Sequence, residues 1–244
     1  MTSEDTLSAV QSERQGRHIG IVAGTAEGAA MCFRSLFHEA DARRKPVAGP
    51  QATMHAFPLQ AYLRGVDRND WRAVAALMSE SAAILAKAGA DLIICPNNTL
   101  HRAFEFVVSP IPWLHIAEVV AAEAARRGYR RVGLLGTMAV LQGSFYRSRL
   151  WSRGIDLLIP EREDRFRLER IIRSELIAGC FTAKSRACVR QMIEVMAERG
   201  ADAVILGCTE LPLLIPQAEV ALPLLDSTTL LALAALEHDV PHTV

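Results

Sequence analysis

The sequence predicts an α/β protein made of two similar α/β/α lobes. Short apolar runs alternate with helical patterns of roughly 10 to 15 residues, which is typical of right-handed β-α-β units and mostly parallel sheets. A Gly-Ala-Asp triplet followed by an apolar run begins at Gly89 and again at Gly200. The run 131–137 likewise echoes the run 19–25. We therefore expect two lobes related by a pseudo-twofold axis, with the active site in the cleft between them.

Local patterns predict each element in turn. The strongest helix covers 70–88, because Asp70 caps it, apolar residues recur at helical spacing and Gly89 closes it. Apolar runs bounded by turn residues predict strands at 18–24, 51–57, 92–95, 131–137, 156–159 and 203–206, with one more short strand within 221–229. The other predicted helices are 28–41, 117–127, 145–151, 163–178, 182–199 and a closing helix.

Three segments describe the expected domain organisation. Residues 1–17 are polar and without apolar periodicity, so they are predicted to form a flexible tail. Residues 18–112 together with 213–244 are assigned to the first lobe, and residues 113–212 to the second. Ligands of parallel α/β sheets bind beyond the carboxyl ends of the strands, so the turns that follow the strands are the expected site.

Composition excludes several classes of function. The formal net charge is zero, which gives no electrostatic reason to expect nucleic acid or a membrane surface as a partner. No apolar run approaches the roughly 18 residues of a membrane span. The five cysteines lack metal-ligand spacing, so no metal is expected. Their odd count and the lack of a recognisable signal peptide favour a cytoplasmic location.

Cys208 is the candidate acid/base. It follows an apolar run, and its neighbours are Gly207 and Thr209 rather than core residues. A strand-to-helix turn at this point would favour a thiolate, and Glu210 could orient a proton or a substrate ammonium group. The alternative is that Cys208 is a small buried hydrophobe, as lone cysteines in apolar surroundings usually are.

Asn97 takes the place of Cys208 in the first copy of the repeat. Together with Asn98 and Thr99 it offers amides, a hydroxyl and backbone N–H groups, a set that suits a carboxylate ligand. The alternative is an Asx turn that caps a helix. Further donors predicted around the site are Thr25, Thr137 and Thr209, with His101 either behind them or purely structural.

Several motifs, in this order, resemble those of the aspartate/glutamate racemase family over about residues 18–230. The Asn-Thr-x-His motif ending at His101 and the Cys-Thr-Glu motif beginning at Cys208 are the most specific at this separation. The other matching segments are 19–24, 114–116, 133–137, 145–147, 159–160 and 223–226. The resemblance implies two α/β lobes, a cofactor-independent mechanism, a small carboxylate or amino-acid substrate and a homodimer.

The resemblance also implies roles for the two strand-end residues. Members of this family use two cysteines on opposite faces of the substrate, one to remove the α-proton and one to return a proton. Cys208 matches the second cysteine, but Asn97 stands at the first, and an amide is neither acid nor base near neutral pH. The pattern is closest to the single-cysteine racemases specific for L-aspartate and L-glutamate. Leu231 stands where many members have histidine, so a water, Cys95 or His101 would have to supply the second proton.

Three functions are therefore compatible with the sequence. The first is a racemase of a small, acidic amino acid that works through Cys208. The second is a one-thiol decarboxylase or isomerase of a small dicarboxylic acid, which needs protonation from one face only. The third is a non-catalytic carboxylate-binding paralogue.

Substrate specificity is expected to depend on segments 52–63 and 138–142. Three residues of the first segment, Met54, Phe57 and Leu59, are less polar than an acidic substrate side chain requires. The candidate cations that could compensate are Arg43, Arg44, His55 and Arg64.

Overall fold

The computed structural model describes residues 17–42 and 49–238. The predicted tail, apart from Arg17, and the candidate cations Arg43 and Arg44 lie outside the described residues. The strands are β1 His18–Ala23, β2 Gln51–Ala56, β3 Leu92–Ile94, β4 Arg131–Gly136, β5 Asp156–Leu158, β6 Ala203–Gly207 and β7 Leu224–Asp226.

Helices follow most of the strands. The α-helices are α1 Ala26–Ala42, α2 Leu59–Asp67, α3 Trp71–Lys87, α4 Ile116–Arg126, α5 Met138–Gln142, α6 Ser144–Trp151, α7 Arg162–Ser174, α8 Ala183–Glu198, α9 Leu211–Leu214 and α10 Ser227–Glu237. Short 3-10 helices cover Leu100–Phe106, Leu176–Ala178 and Gln217–Glu219. None of the helices within the described ranges has the length and apolarity required to cross a membrane.

Two parallel sheets confirm the predicted fold class. The first has the strand order β2-β1-β3, and the second has the order β5-β4-β6-β7. Buried apolar side chains cover both faces of each sheet, with α1 and α10 against one face of the first sheet and α2 and α3 against the other. Helices α4 and α6 cover one face of the second sheet, and α7 and α8 cover the other. Each lobe is therefore an α/β/α sandwich.

The predicted helix at 70–88 forms as α3. Asp70 caps it by accepting a hydrogen bond from the backbone N–H of Ala73 at 3.0 Å. Gly89 follows the helix with φ of 92°, a left-handed conformation that glycine adopts without the steric cost of a Cβ.

Helix α2 was not among the predicted helices. Its first residues belong to segment 52–63, which was expected to be a loop that determines substrate specificity. Pro58 precedes the helix, and Tyr62 and Gly65 are buried on its inner face. A Cβ at Gly65 would lie 2.7 Å from the side chain of Val74, so glycine lets α2 approach α3 closely. Its apolar residues recur at helical spacing, so the segment carries a periodic signal, although over nine residues only.

The end of the chain contributes to both lobes, which differs from the expected placement of 213–244 in the first lobe. Strand β7 pairs in parallel with β6 and so belongs to the second sheet. Helix α10 instead packs Leu231 and Ala232 against the core of the first lobe, beside Ile19 and Leu92. The predicted helix at 163–178 also ends early, because Ser174 closes α7 and a separate 3-10 turn follows.

Candidate active site

A cavity of about 100 Å³ lies where the carboxyl ends of the two sheets face each other. This is several times the space that one water molecule needs. The turns that follow β1, β3, β4 and β6 all contribute to its wall. The predicted site residues that line it are Thr25, Asn97, Asn98, Thr99, Thr137, Cys208, Thr209 and Glu210.

Cys208 and Glu210 form a hydrogen-bonded pair in the cavity wall. The Cys208 thiol donates to Oε2 of Glu210 at 3.0 Å, and the Thr209 hydroxyl donates to the same oxygen at 2.8 Å. All three residues are buried, with 7% or less of each exposed. The arrangement places a thiol proton directly against a carboxylate that can accept it.

The pKa of the Cys208 thiol lies well above its ordinary value of 9.0. Burial is the main cause, and the negative charge of Glu210 adds to it. Backbone N–H groups of Glu210 and Leu211 act in the opposite direction but do not compensate. The expected thiolate is therefore wrong for the resting site, since α9 is only four residues long and the thiol is desolvated. Cys208 is a protonated thiol at neutral pH.

Replacement of Glu210 by glutamine is expected to lower the pKa of Cys208, because the amide removes the negative charge that disfavours the thiolate. The pH at which Cys208 becomes reactive to iodoacetamide should fall by about 1 to 3 pH units. Peptide mass spectrometry of protein alkylated over a pH series measures this at Cys208 alone. Glu169→Gln is the control, since Glu169 lines the same cavity but its carboxylate accepts a hydrogen bond from the backbone N–H of Met138 rather than from Cys208. An unchanged or upward-shifted profile in Glu210→Gln would contradict the pairing.

Asn97 lines the same cavity from the first lobe. Its Oδ1 accepts a hydrogen bond from the backbone N–H of Leu100, three residues on, at 3.2 Å, a local side-chain-to-backbone contact close to the structural alternative expected from the sequence. Gly24 packs against this side chain, and a Cβ there would lie 2.6 Å from the Asn97 amide nitrogen. The amide is thus held in place, with its oxygen engaged in the turn.

Asn98 joins the two lobes. Its Oδ1 accepts from the Tyr146 hydroxyl at 2.6 Å, and its Nδ2 donates to Ser227 Oγ at 2.9 Å. Ser227 in turn donates to the carbonyl of Leu206 at 2.8 Å. Because the amide oxygen and one N–H are used in this network, one N–H is left for the predicted contact with a substrate carboxylate.

The threonine hydroxyls lie at the seam between the lobes. Thr99 Oγ1 and Thr137 Oγ1 are 2.9 Å apart, one from each lobe. Thr25 Oγ1 accepts from the backbone N–H of Gly28 at 3.3 Å. Gly28 also permits close contact with Thr209, since a Cβ would lie 2.7 Å from the threonine Cγ2. Hydroxyls from both sheets therefore converge on the cavity.

His101 does not line the cavity, which differs from its predicted place among the substrate-binding residues. Its Nε2 bonds to the carbonyl oxygen of Cys95 at 3.0 Å, and because a carbonyl only accepts, this nitrogen carries the proton. Burial lowers the pKa of His101 to about 4, so the ring is neutral near pH 7. Cys95 is also buried in the core outside the cavity lining, and burial raises its pKa to about 12. Neither side chain is placed to exchange a proton with a ligand.

The sequence analysis did not predict that helices α2 and α7 form one wall of the cavity, called the helical wall below. Arg173 of α7 lines it and forms an ion pair across the cleft with Asp67 of α2, 2.8 Å from Nη2 to Oδ1. Glu169 lines it one turn earlier and accepts from the backbone N–H of Met138 at 2.6 Å. The candidate cations His55 and Arg64 are not part of the lining, and His55 bonds to Ser81 at 2.9 Å. A charged helix with no functional motif gives no signal for such a role.

Known proteins share this architecture. A proposed Asp/Glu racemase from Yersinia pestis superposes with a TM-score of 0.82 at 29% identity, over 91% of this chain and 98% of its own. An aspartate racemase homologue from Pyrococcus horikoshii OT3 has a TM-score of 0.77 at 29% identity, over the same shares. A glutamate racemase from Roseiflexus sp. (strain RS-1) is 30% identical over 58% of this chain. That alignment spans only about half of the Roseiflexus enzyme, 52% of its length.

The family model described as Asp/Glu/Hydantoin racemase matches residues 32–235. This range includes both Asn97 and Cys208 and elements from both sheets. The chain belongs to the Asp/Glu/hydantoin racemase family.

Proposed function

We propose that the chain is a cofactor-independent amino-acid racemase in which Cys208 moves the α-proton at one face of the substrate. The observation that carries the proposal is the 3.0 Å hydrogen bond from the Cys208 thiol to Glu210 in the cavity wall. A protonated thiol becomes a base only if its proton has an acceptor, and Glu210 supplies one. The hydrogen bond supports the proposal because a catalytic thiol needs a partner within proton-transfer distance.

The hydroxyls at the strand ends bind the substrate carboxylate. Removal of an α-proton places negative charge on that carboxylate, so donors aimed at its oxygens stabilise the transition state. Thr25, Thr99 and Thr137 line the cavity and have hydroxyl protons that can be directed to a ligand. The remaining N–H of Asn98 adds a donor, and Glu210 is left to handle the thiol proton.

Every proton that is removed in the proposed mechanism is returned within one turnover. The Cys208 thiol passes its proton to Glu210, and the resulting thiolate removes the α-proton, which regenerates the thiol and leaves an enediolate. Return of that proton from the thiol restores the starting enantiomer. Protonation from water at the other face gives the opposite enantiomer, and Glu210 then neutralises the hydroxide that is formed.

We assign proton transfer at the Asn97 face to water. Asn97 itself is neither acid nor base, and Cys95 and His101 are outside the cavity lining. The cavity of about 100 Å³ is several times the space that one water molecule needs. We therefore expect proton exchange with solvent to be faster than inversion of configuration.

Incubation in heavy water tests the activity itself. Nuclear magnetic resonance of a panel of L- and D-amino acids should show loss of the α-proton signal for at least one of them. Cys208→Ala protein purified in the same way serves to exclude a contaminating enzyme, since a contaminant would give the same exchange in both preparations. No exchange with any amino acid would contradict the proposed function.

A second candidate function is protonation of a carbanion at one face, as in a one-thiol decarboxylase or isomerase. The observation that favours it is that the cavity has a protonated thiol at one face, since burial raises the pKa of Cys208, and only the amide of Asn97 at the other. Turnover of malonate-type acids or maleate, without exchange of any amino acid, would select this function over racemisation.

A further inference from the structure

The helical wall of the cavity is mainly aliphatic. Leu59, Leu63 and Val66 follow one another along a single face of α2, and all three line the cavity. Ile172 of α7 and Ile177 of the following 3-10 turn line it from the other lobe. Ile177 keeps 37% of its surface exposed. The two lobes thus present apolar surface to the same space, and an apolar ligand would remove part of that surface from water.

The charges of this wall do not favour an acidic side chain. Arg173 is the one cationic side chain among the lining residues of the described ranges, and its guanidinium is already paired with Asp67 at 2.8 Å. Glu169 lies 4.0 Å from the same guanidinium and is itself part of the wall. Glu210 adds a second carboxylate. A side-chain carboxylate would meet two acidic groups and would have to compete with Asp67 for Arg173.

The two parts of the cavity wall, the strand-end turns and the helical wall, differ in polarity. The turns offer hydroxyls, amides and backbone N–H groups, which suit the α-carboxylate and ammonium common to all amino acids. Among the cavity-lining residues that the structure describes, the helical wall is the part left for the side chain. We infer that the substrate is an amino acid with an uncharged apolar side chain, held between α2 and the end of α7. The inference rests on the proposed function.

Rates of α-deuterium exchange across a substrate panel test this assignment. We expect kcat/KM for leucine, isoleucine or methionine to exceed that for aspartate and glutamate by at least about tenfold, since apolar pockets discriminate on this scale. Exchange confined to aspartate or glutamate would overturn the inference and leave the racemase function standing. No exchange with any amino acid would overturn both.

A pair of matched variants tests the position of the side chain. Ile177→Ala removes aliphatic surface from the cavity and should lower kcat/KM for the best aliphatic substrate by about tenfold. Ile84→Ala is the control, because Ile84 is 39% exposed, close to the 37% of Ile177, and lies on α3 outside the cavity lining. Equal kcat/KM in the two variants, with both folded by circular dichroism, would overturn the inference.

Discussion

Replacement of Cys208 by alanine is expected to lower α-proton exchange by about 10²- to 10⁴-fold, the scale of general acid–base catalysis. Cys208 is the one thiol that lines the cavity within the described ranges, and its Sγ lies 3.0 Å from Oε2 of Glu210, the acceptor of its hydrogen bond. Alanine removes the only group in the cavity wall that the mechanism uses to take the α-proton. Deuterium incorporation followed by nuclear magnetic resonance in heavy water measures the loss.

Cys95→Ala is the matched control. Cys95 is a buried cysteine at the end of β3, and it lies in the core of the first lobe rather than in the cavity wall. Its removal should leave exchange within a few-fold of the wild type, provided that circular dichroism shows a folded protein. Exchange that persists in Cys208→Ala, or that is lost equally in both variants, would contradict the assigned role of Cys208.

Replacement of Asn97 by cysteine is expected to raise the rate of inversion by about 10²- to 10⁴-fold. A thiol at this position supplies the acid or base that the first lobe lacks. Cysteine is smaller than asparagine, so it fits the space that Gly24 leaves beside the side chain. The hydrogen bond from Leu100 N–H to Oδ1 is lost, which should cost about 1 kcal/mol of stability. Chiral chromatography of the product measures inversion.

Asn97→Ser controls for the change in size. Serine also shortens the side chain and retains a hydroxyl for the turn, but it is not an acid or base at neutral pH. Inversion should rise in the cysteine variant and not in the serine variant. Amino-acid binding without turnover in both variants would instead support the non-catalytic alternative, and equal gains in both would contradict an acid–base role for position 97.

Local patterns predicted the fold because they act over short distances. Apolar runs that alternate with helices predict parallel sheets whatever the exact residues are. Asp70 and Gly89 marked the ends of α3 correctly. The pairing of β7 with β6 depends on where a three-residue strand docks after a long connection, and no local pattern encodes that. Helix α2 was missed although its apolar residues recur at helical spacing, because its nine residues hold only about two and a half turns of that pattern.

The cavity-lining turns were predictable because each one directly follows a strand. Their electrostatics were not, since the pKa of Cys208 depends on burial and on the carboxylate of Glu210, and helix position alone predicted the wrong direction. The pair between Arg173 and Asp67 joins residues far apart in the chain, and neither belongs to a motif. Tertiary contact of this kind appears only in the folded structure.

The most direct test of the one-thiol mechanism in the wild-type protein compares two initial rates, that of deuterium incorporation and that of inversion. Both rates are measured separately from each enantiomer of the best substrate. The enantiomer whose α-proton faces Cys208 should incorporate deuterium with retention several-fold faster than it inverts, because the Asn97 face depends on water. Deuterium incorporation that equals inversion from both enantiomers would require an efficient acid/base on each face and would contradict the mechanism.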